Sequence, residues 1–222
     1  MTDVQRDVEP GEDEVLHTVY SVANLITVLR LLLVPFFFAV LVGSDSEQSR
    51  LTAFVIFAVA ASTDWVDGQI ARRTHTVTQV GKVIDPLVDR LLLAAGVVGL
   101  YLIGEIPLWI PVVLLARDVY LLYGSYVLER HRVILPVSRI GKLTTAVLLM
   151  GFSSLIAGWP MVDGLGVIDS PALPGWGSDP APLGIWFVYA GIVLSLSTAA
   201  QYTVQARRAL REAVARERRG AA

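Results

Sequence analysis

The stretch STDWVDGQIARRTHTVTQVGKVIDPLVDRLLL, residues 62–93, decides the fold because it sets four aspartates between two long apolar segments. Residues three or four positions apart lie on the same face of a helix. One predicted helical face carries Asp64, Asp67, Gly68 and Ala71, and a second carries Gly81, Asp85 and Asp89. The short connection, about 73–80, predicts antiparallel helices whose acidic faces meet across the gap left by the small residues.

Four carboxylates at one intramembrane site repel one another or take up protons unless cations compensate their charge. The chain contains no cysteine, which excludes disulfides, thiolate metal sites and cysteine nucleophiles. Oxygen ligands favour Mg²⁺, Mn²⁺ or Ca²⁺. Two such ions bind a diphosphate and stabilise a leaving phosphate, so the pattern predicts a diphosphate substrate.

The composition is that of a membrane protein, with 54% hydrophobic residues and a mean hydropathy of +0.60. We predict an all-α, polytopic fold with six transmembrane helices of about 20 residues each. The predicted spans are 22–43, 50–71, 82–103, 107–128, 140–159 and 183–205. They form a catalytic domain, 22–206, between a cytoplasmic N-terminal segment, 1–21, with a surface helix near 13–21, and an Arg-rich helical tail, 207–222.

Charge places both termini and the site in the cytoplasm, because cytoplasmic loops retain Lys and Arg. The connections 43–49, 103–106 and 159–183 contain neither residue. The alternate connections hold Arg72, Arg73, Lys82, Arg130, Arg132, Arg139 and Lys142. Residues 160–182 lack a helical period and are predicted to form an irregular extracytoplasmic loop at the headgroup level, through Trp159 and Trp176.

The acidic stretch resembles the signature of the CDP-alcohol phosphotransferase family, D-x2-D-G-x2-A-R-x8-G-x3-D-x3-D, at every fixed position. The matching residues are Asp64, Asp67, Gly68, Ala71, Arg72, Gly81, Asp85 and Asp89. The resemblance covers about residues 20–205. It implies a homodimeric plasma-membrane enzyme that binds CDP-diacylglycerol on two Mg²⁺ or Mn²⁺ ions. An acceptor hydroxyl then attacks the lipid-side phosphorus and expels CMP.

The resemblance also assigns roles to individual residues. Asp64, Asp67 and Asp85 are expected to hold the metals, and Asp89 to act as general base and additional ligand. Gly68, Ala71 and Gly81 are expected to leave room for the cytidine nucleotide, with Arg72 near its phosphates. Asn24, Thr27 and Arg30 resemble the N-x2-T-x2-R opening of the glycerophospholipid branch. Thr27 is expected to contact the nucleotide, although all three also fit ordinary polar residues at a helix entry.

The candidate acceptor-binding residues are Arg117, Arg139 and Lys142, because a phosphorylated acceptor needs fixed positive charge. A structural ion pair between Arg117 and Asp118, and snorkelling of Lys142, are the alternatives. Arg90 and Asp118 make the sequence resemble cardiolipin synthases more than typical phosphatidylglycerophosphate synthases. The resemblance therefore favours phosphatidylglycerol over glycerol 3-phosphate as acceptor.

Two other classes of protein compete with an enzyme. A transporter also lines its bundle with acidic residues, but it needs no Gly68, Ala71, Arg72 and Gly81 at these spacings. An inactive scaffold would be expected to have lost at least one position of the pattern, and every position is filled. We expect membrane lipids and a second copy of the chain as partners, and no nucleic acid.

Overall fold

The computed structural model describes the backbone of residues 22–43, 46–74, 81–130 and 139–220, and the side chains of 28–43, 46–63, 88–128, 130 and 140–211. These ranges contain six helices and one pair of short strands. The helices are α1 (Val22–Gly43), α2 (Glu47–Thr74), α3 (Gly81–Leu102), α4 (Trp109–Arg130), α5 (Arg139–Ala157) and α6 (Gly184–Gly220). Strand β1 (Met161–Val162) pairs antiparallel with β2 (Ala181–Pro182). The chain is therefore mostly helical, as predicted.

The helices follow the six predicted apolar segments, with differences at their ends. Helix α2 begins at Glu47 because Ser46 caps it: the Ser49 backbone N–H donates to Ser46 Oγ over 3.1 Å. Helix α6 continues to Gly220, so the Arg-rich tail extends the last helix as expected. The surface helix predicted near 13–21 lies outside the described residues.

Three described helices contain segments long and apolar enough to cross a membrane. They are Trp109–Leu128, Ile140–Ala157 and Gly184–Arg211, and α1 contributes a shorter apolar stretch, Val28–Gly43. Large apolar side chains point outward from these helices, including Leu32, Val119 and Val193, each about two-thirds exposed. Outward-facing apolar surface on long helices is what a bilayer requires. The chain has the character of a membrane protein, and the full count of six spans stays a prediction.

The core brings α1, α2, α3 and α5 together around aromatic rings. The rings of Phe37 on α1 and Phe57 on α2 lie 5.2 Å apart. Gly96 lets α3 approach, since a Cβ there would lie 3.2 Å from Phe57 and 3.5 Å from Phe152 of α5. Helix α3 also contacts α4, so it lies among four other helices. This packing sets the position of the acidic residues that α3 carries.

A single arginine ties three elements together at the end of the bundle opposite the acidic stretch. Arg50 of α2 donates to the carbonyls of Leu155 and Ile156, over 2.9 and 3.2 Å, at the end of α5. It also forms an ion pair of 2.7 Å with Glu105 in the α3–α4 connection. The last carbonyls of a helix have no partner within the helix, and Arg50 satisfies two of them. No role for Arg50 was predicted from the sequence.

The connection between α5 and α6 is irregular apart from the two short strands, in agreement with the prediction for 160–182. Trp109 Nε1 donates to the Ala172 carbonyl over 2.7 Å, and the Tyr189 hydroxyl donates to the Pro174 carbonyl over 3.0 Å. Trp159 is 73% exposed, whereas Trp176 packs against Trp186 with ring centroids 5.8 Å apart. The loop is thus held against the ends of α4 and α6.

Candidate active site

The predicted acidic residues lie on two helices that contact each other. Asp64 and Asp67 belong to the last part of α2, and Asp85 and Asp89 to the first part of α3. Of these four side chains, only that of Asp89 is among those described. The side chains of the other predicted site residues, Thr27, Gly68, Ala71, Arg72, Gly81 and Arg139, also lie outside the described set. Their roles stay predictions.

Asp89 is held by an arginine from another helix. Arg30 Nη1 of α1 donates to Asp89 Oδ1 over 2.7 Å. The Arg30 side chain is completely buried, whereas 38% of the Asp89 side chain is exposed. A hydrogen bond between two charged groups is short and strong, and it fixes the direction of the carboxylate. Arg30 therefore anchors the Asp89 carboxylate to the protein, and part of the side chain remains exposed at the surface.

The contact between Arg30 and Asp89 was not predicted, although a signal for it exists in the sequence. Arg30 stands within an otherwise apolar stretch, Val28–Gly43. An arginine at such a position needs a partner inside the bundle, because an unpaired charge is expensive in a membrane. The sequence does not say which of the acidic residues is that partner.

Arg90, next to Asp89 in the sequence, is a partly buried cation on the same helix. Within the described part of the chain, its Nη1 is buried and has no hydrogen-bond partner. Leaving such a donor unsatisfied costs about 1–3 kcal/mol, and more for a charged group. In the sequence, Arg90 served only to distinguish cardiolipin synthases from phosphatidylglycerophosphate synthases. Its buried, unused donor makes it a candidate for binding an anion.

Arg117 and Asp118 of α4 form the ion pair that the sequence suggested as an alternative, with Nη1 and Oδ1 2.7 Å apart. The pair does not use all of the arginine, since Arg117 Nε is also buried without a partner among the described residues. Lys142 on α5 is exposed, which agrees with snorkelling. Arg117 thus keeps one buried, unused donor, and the binding of an acceptor by Arg117 or Lys142 stays a prediction.

A cavity of about 30 Å³ lies where α3, α4, α5 and α6 meet. Leu93 of α3, one turn beyond Asp89, forms part of its wall, and Arg117 of α4 forms another part. Two buried hydroxyl residues, Thr144 of α5 and Ser195 of α6, also line it. A mostly apolar cavity with a few polar groups in its wall is a candidate binding site.

The acidic residues fit a hard divalent cation by their chemistry. Four carboxylates on two contacting helices provide only oxygen donors, and the exposed part of Asp89 allows it to bind a ligand. The side chains that the structure describes contain no group of three acidic or histidine residues able to hold a metal. Three of the four aspartates lie outside that set, so the predicted site is not tested.

Known proteins resemble this chain over most of its length. The "Cardiolipin synthase (CMP-forming)" of Streptomyces coelicolor is 31% identical over 204 residues, which cover 89% of this chain and 87% of the relative. The "Probable phosphatidylglycerophosphate synthase" of Mycobacterium tuberculosis is 34% identical over 146 residues, covering 65% and 69%. The "CDP-diacylglycerol--glycerol-3-phosphate 3-phosphatidyltransferase" of Bacillus subtilis is 30% identical over 148 residues, covering 62% and 77%.

The sequence profile of the CDP-alcohol phosphatidyltransferases matches residues 20–196. The matched region contains all four aspartates and the helices α1 to α5 in full. The relatives carry two different names, a cardiolipin synthase and a glycerol-3-phosphate phosphatidyltransferase. The chain therefore belongs to the CDP-alcohol phosphatidyltransferase family of phospholipid-synthesis enzymes.

Proposed function

We propose that this enzyme transfers a phosphatidyl group from CDP-diacylglycerol to a glycerol-type acceptor and releases CMP. The observation that carries the proposal is Asp89, held by the buried Arg30 at the fourth aspartate of the family pattern. A bond forms between the acceptor oxygen and the lipid-side phosphorus, and the bond from that phosphorus to the CMP oxygen breaks. The acceptor proton passes to Asp89, and CMP leaves with the electron pair of the broken bond.

Asp89 is suited to act as the base because of how it is held. A general base must lie within hydrogen-bond distance of the hydroxyl that it deprotonates. Arg30 fixes the carboxylate from the protein side, and the exposed part of Asp89 is where the acceptor hydroxyl would bind. Arg30 is thus a positioning residue, since it acts on the reaction through Asp89.

We assign the metal-binding role to Asp64, Asp67, Asp85 and Asp89, with two Mg²⁺ or Mn²⁺ ions as cofactors. When bound, such ions supply positive charge to the diphosphate and to the departing phosphate. The all-oxygen donor set supports this assignment. Gly68, Ala71 and Gly81 would leave space for the nucleotide beside them, and Thr27 and Arg72 would contact its polar groups.

Phosphatidylglycerol is the acceptor that we propose, which would make the product cardiolipin. It is supported by the relative that covers 89% of this chain and is named cardiolipin synthase. Glycerol 3-phosphate is the alternative, supported by the names of the two other relatives. Both acceptors carry a phosphate, and the unused buried Nη1 of Arg90 is suited to bind it, while Arg117 is a candidate for binding another part of the acceptor. Arg139 and Lys142, near the start of α5, are further candidates.

We also propose six membrane spans, with both termini and the site on the cytoplasmic side, and a homodimer. The distribution of Lys and Arg between alternate connections supports this topology. The exposed apolar and aromatic face of α4, which includes Val119 and Tyr123, gives a surface for lipid or for a second subunit. A transport path is disfavoured because Phe57 and Phe152 pack into the core beyond Asp89.

The proposal is tested by supplying each acceptor separately. Purified protein in detergent is incubated with CDP-diacylglycerol and Mg²⁺ or Mn²⁺, plus either phosphatidylglycerol or glycerol 3-phosphate, and the lipid product is identified by mass spectrometry. Cardiolipin formed only with phosphatidylglycerol would support the proposal. Phosphatidylglycerophosphate formed only with glycerol 3-phosphate would establish the alternative. The absence of product with both acceptors would refute a glycerol-type acceptor.

A further inference from the structure

The cavity between α3, α4, α5 and α6 is lined by Ser195, whose hydroxyl is bonded differently from the other hydroxyl groups on α6. On α6, the hydroxyls of Ser197, Thr198 and Thr203 each donate to the carbonyl four residues earlier, over 2.7–2.8 Å. This is the usual arrangement for Ser and Thr inside a helix. Ser195 is only 1% exposed, and its Oγ has no hydrogen-bond partner among the residues that the structure describes. Its hydroxyl is left available to the cavity that it lines.

Arg117, in the same wall, also has a buried polar atom without a hydrogen-bond partner among the described residues. Arg117 lines the cavity, and its Nε is buried without a partner in the described ranges, although its Nη1 pairs with Asp118. Thr144 adds an oxygen, because its hydroxyl already donates to the Ile140 carbonyl and can still accept. The cavity wall therefore contains the Arg117 N–H donor, the Ser195 hydroxyl, which can donate and accept, and the Thr144 oxygen, which can accept.

The size of the cavity selects the chemistry of its ligand. A volume of about 30 Å³ corresponds to about two water molecules. That is enough for a hydroxyl and its carbon. The apolar part of the wall, including Leu93, Val97 and Leu148, suits the carbon of such a group. The size and the mostly apolar wall of the cavity thus suit an alcohol group.

The cavity is also at a suitable depth relative to Asp89. Leu93 and Asp89 are four residues apart on α3, which is about 6 Å along the helix axis. The path from Asp89 to the cavity has three parts: a hydrogen bond from the acceptor oxygen to Asp89, the glycerol carbons to the neighbouring hydroxyl, and a hydrogen bond from that hydroxyl to the cavity wall. Each hydrogen bond adds about 2.8 Å, so the whole path has a comparable length. A glycerol bound at Asp89 can therefore place its second hydroxyl in the cavity.

We propose that Ser195 and Arg117 form a binding site for the secondary hydroxyl of the acceptor's glycerol. The site would select glycerol-type acceptors from alcohols that lack this group. The acceptor hydroxyl would form hydrogen bonds with both groups. This inference rests on the proposed function, since it requires a glycerol-type acceptor attacking from Asp89.

The test compares two acceptors that differ by one hydroxyl. Wild-type enzyme receives either the glycerol-type acceptor that gives product, or its analogue with a 3-hydroxypropyl group in place of glycerol, and kcat/KM is measured for each. We expect the analogue to be about 10- to 100-fold poorer, because it leaves the Ser195 and Arg117 groups unpaired. In Ser195→Ala this ratio is expected to fall to about threefold or less, through loss of activity on the hydroxylated acceptor.

Ser197→Ala is the matched control, because it removes a hydroxyl that is exposed and bonded to its own helix. It should keep the wild-type ratio. A wild-type ratio near one, or an unchanged ratio in Ser195→Ala, would mean that the cavity holds water only and would overturn the inference while leaving the proposed function intact. The comparison on wild-type enzyme remains decisive if Ser195→Ala does not fold. No product with any glycerol-type acceptor would instead refute the proposed function.

Discussion

Replacing Arg30 by Met tests whether this arginine acts through Asp89. The substitution keeps most of the side-chain volume and removes the 2.7 Å bond to Asp89 Oδ1. Loss of one partner of a buried ion pair costs about 3–5 kcal/mol, but the Asp89 side chain is 38% exposed and can recover water, so we expect about 2 kcal/mol. A carboxylate that is misplaced by about 1 Å costs about 100-fold in rate.

The expected result is a kcat about 100-fold lower, with the KM for CDP-diacylglycerol changed less than about threefold, because Arg30 acts through the base. CMP release gives the rate, and thermal unfolding in detergent, followed by tryptophan fluorescence, gives the stability. Arg30→Lys keeps the charge and should recover part of kcat, but not all of it, because an ammonium lacks the planar geometry of the guanidinium.

Arg50→Met is the matched control for this experiment. Arg50 also forms an ion pair of 2.7 Å, with Glu105, but it lies at the other end of the bundle from Asp89. It should lower the unfolding temperature while kcat stays within about twofold of wild type, since the loss is structural. A wild-type kcat in Arg30→Met, or an equal fall of kcat in both variants, would refute the positioning role.

Three further predictions concern the base, the metal and the packing of α5 on α6. Asp89→Asn can still accept a hydrogen bond from Arg30, so it should keep the unfolding temperature while turnover falls at least about 1,000-fold; an active variant would exclude Asp89 as the base. Removal of divalent cations with EDTA should abolish CMP release, and Mg²⁺ or Mn²⁺ should restore it; activity that persists in EDTA would contradict the metal assignment. In Gly184→Val the new Cβ would overlap the Gly151 carbonyl oxygen, so we expect a loss of about 2 kcal/mol or more, measured by thermal unfolding against Gly43→Val, where the added Cβ has open space.

The helices could be predicted from the sequence because each depends on a local property. A run of about 20 apolar residues is a helix in a membrane whatever surrounds it, since the backbone has no other way to satisfy its polar groups. The predicted and observed helices differ at their ends, because a single capping side chain can set where a helix begins. Ser46 caps α2, so the helix begins earlier than the apolar run suggested. The order and type of the elements therefore followed from hydropathy, and their limits did not.

The contacts of the site could not be predicted, because they join residues far apart in the chain. Arg30 and Asp89 are 59 positions apart, and each could have paired with another charged residue on a neighbouring helix. The Arg50 contacts span more than 100 positions. Ser195 looks in the sequence like its neighbours Ser197 and Thr198, and only the packing of α3, α4 and α5 around it distinguishes its hydroxyl.

The two arginines Arg30 and Arg50 indicate how stability and activity are divided within the bundle. Each forms a charged pair at one end of the group of helices around α3, where an unpaired charge would be costly. Arg50 also donates to two backbone carbonyls at the end of α5, so its contacts are structural. Arg30 instead pairs with Asp89, whose side chain is partly exposed. This ion pair therefore holds the carboxylate that we propose as the general base. Because the two pairs share no residue, the enzyme should tolerate stabilising changes around Arg50 without loss of turnover, whereas changes around Arg30 should affect both.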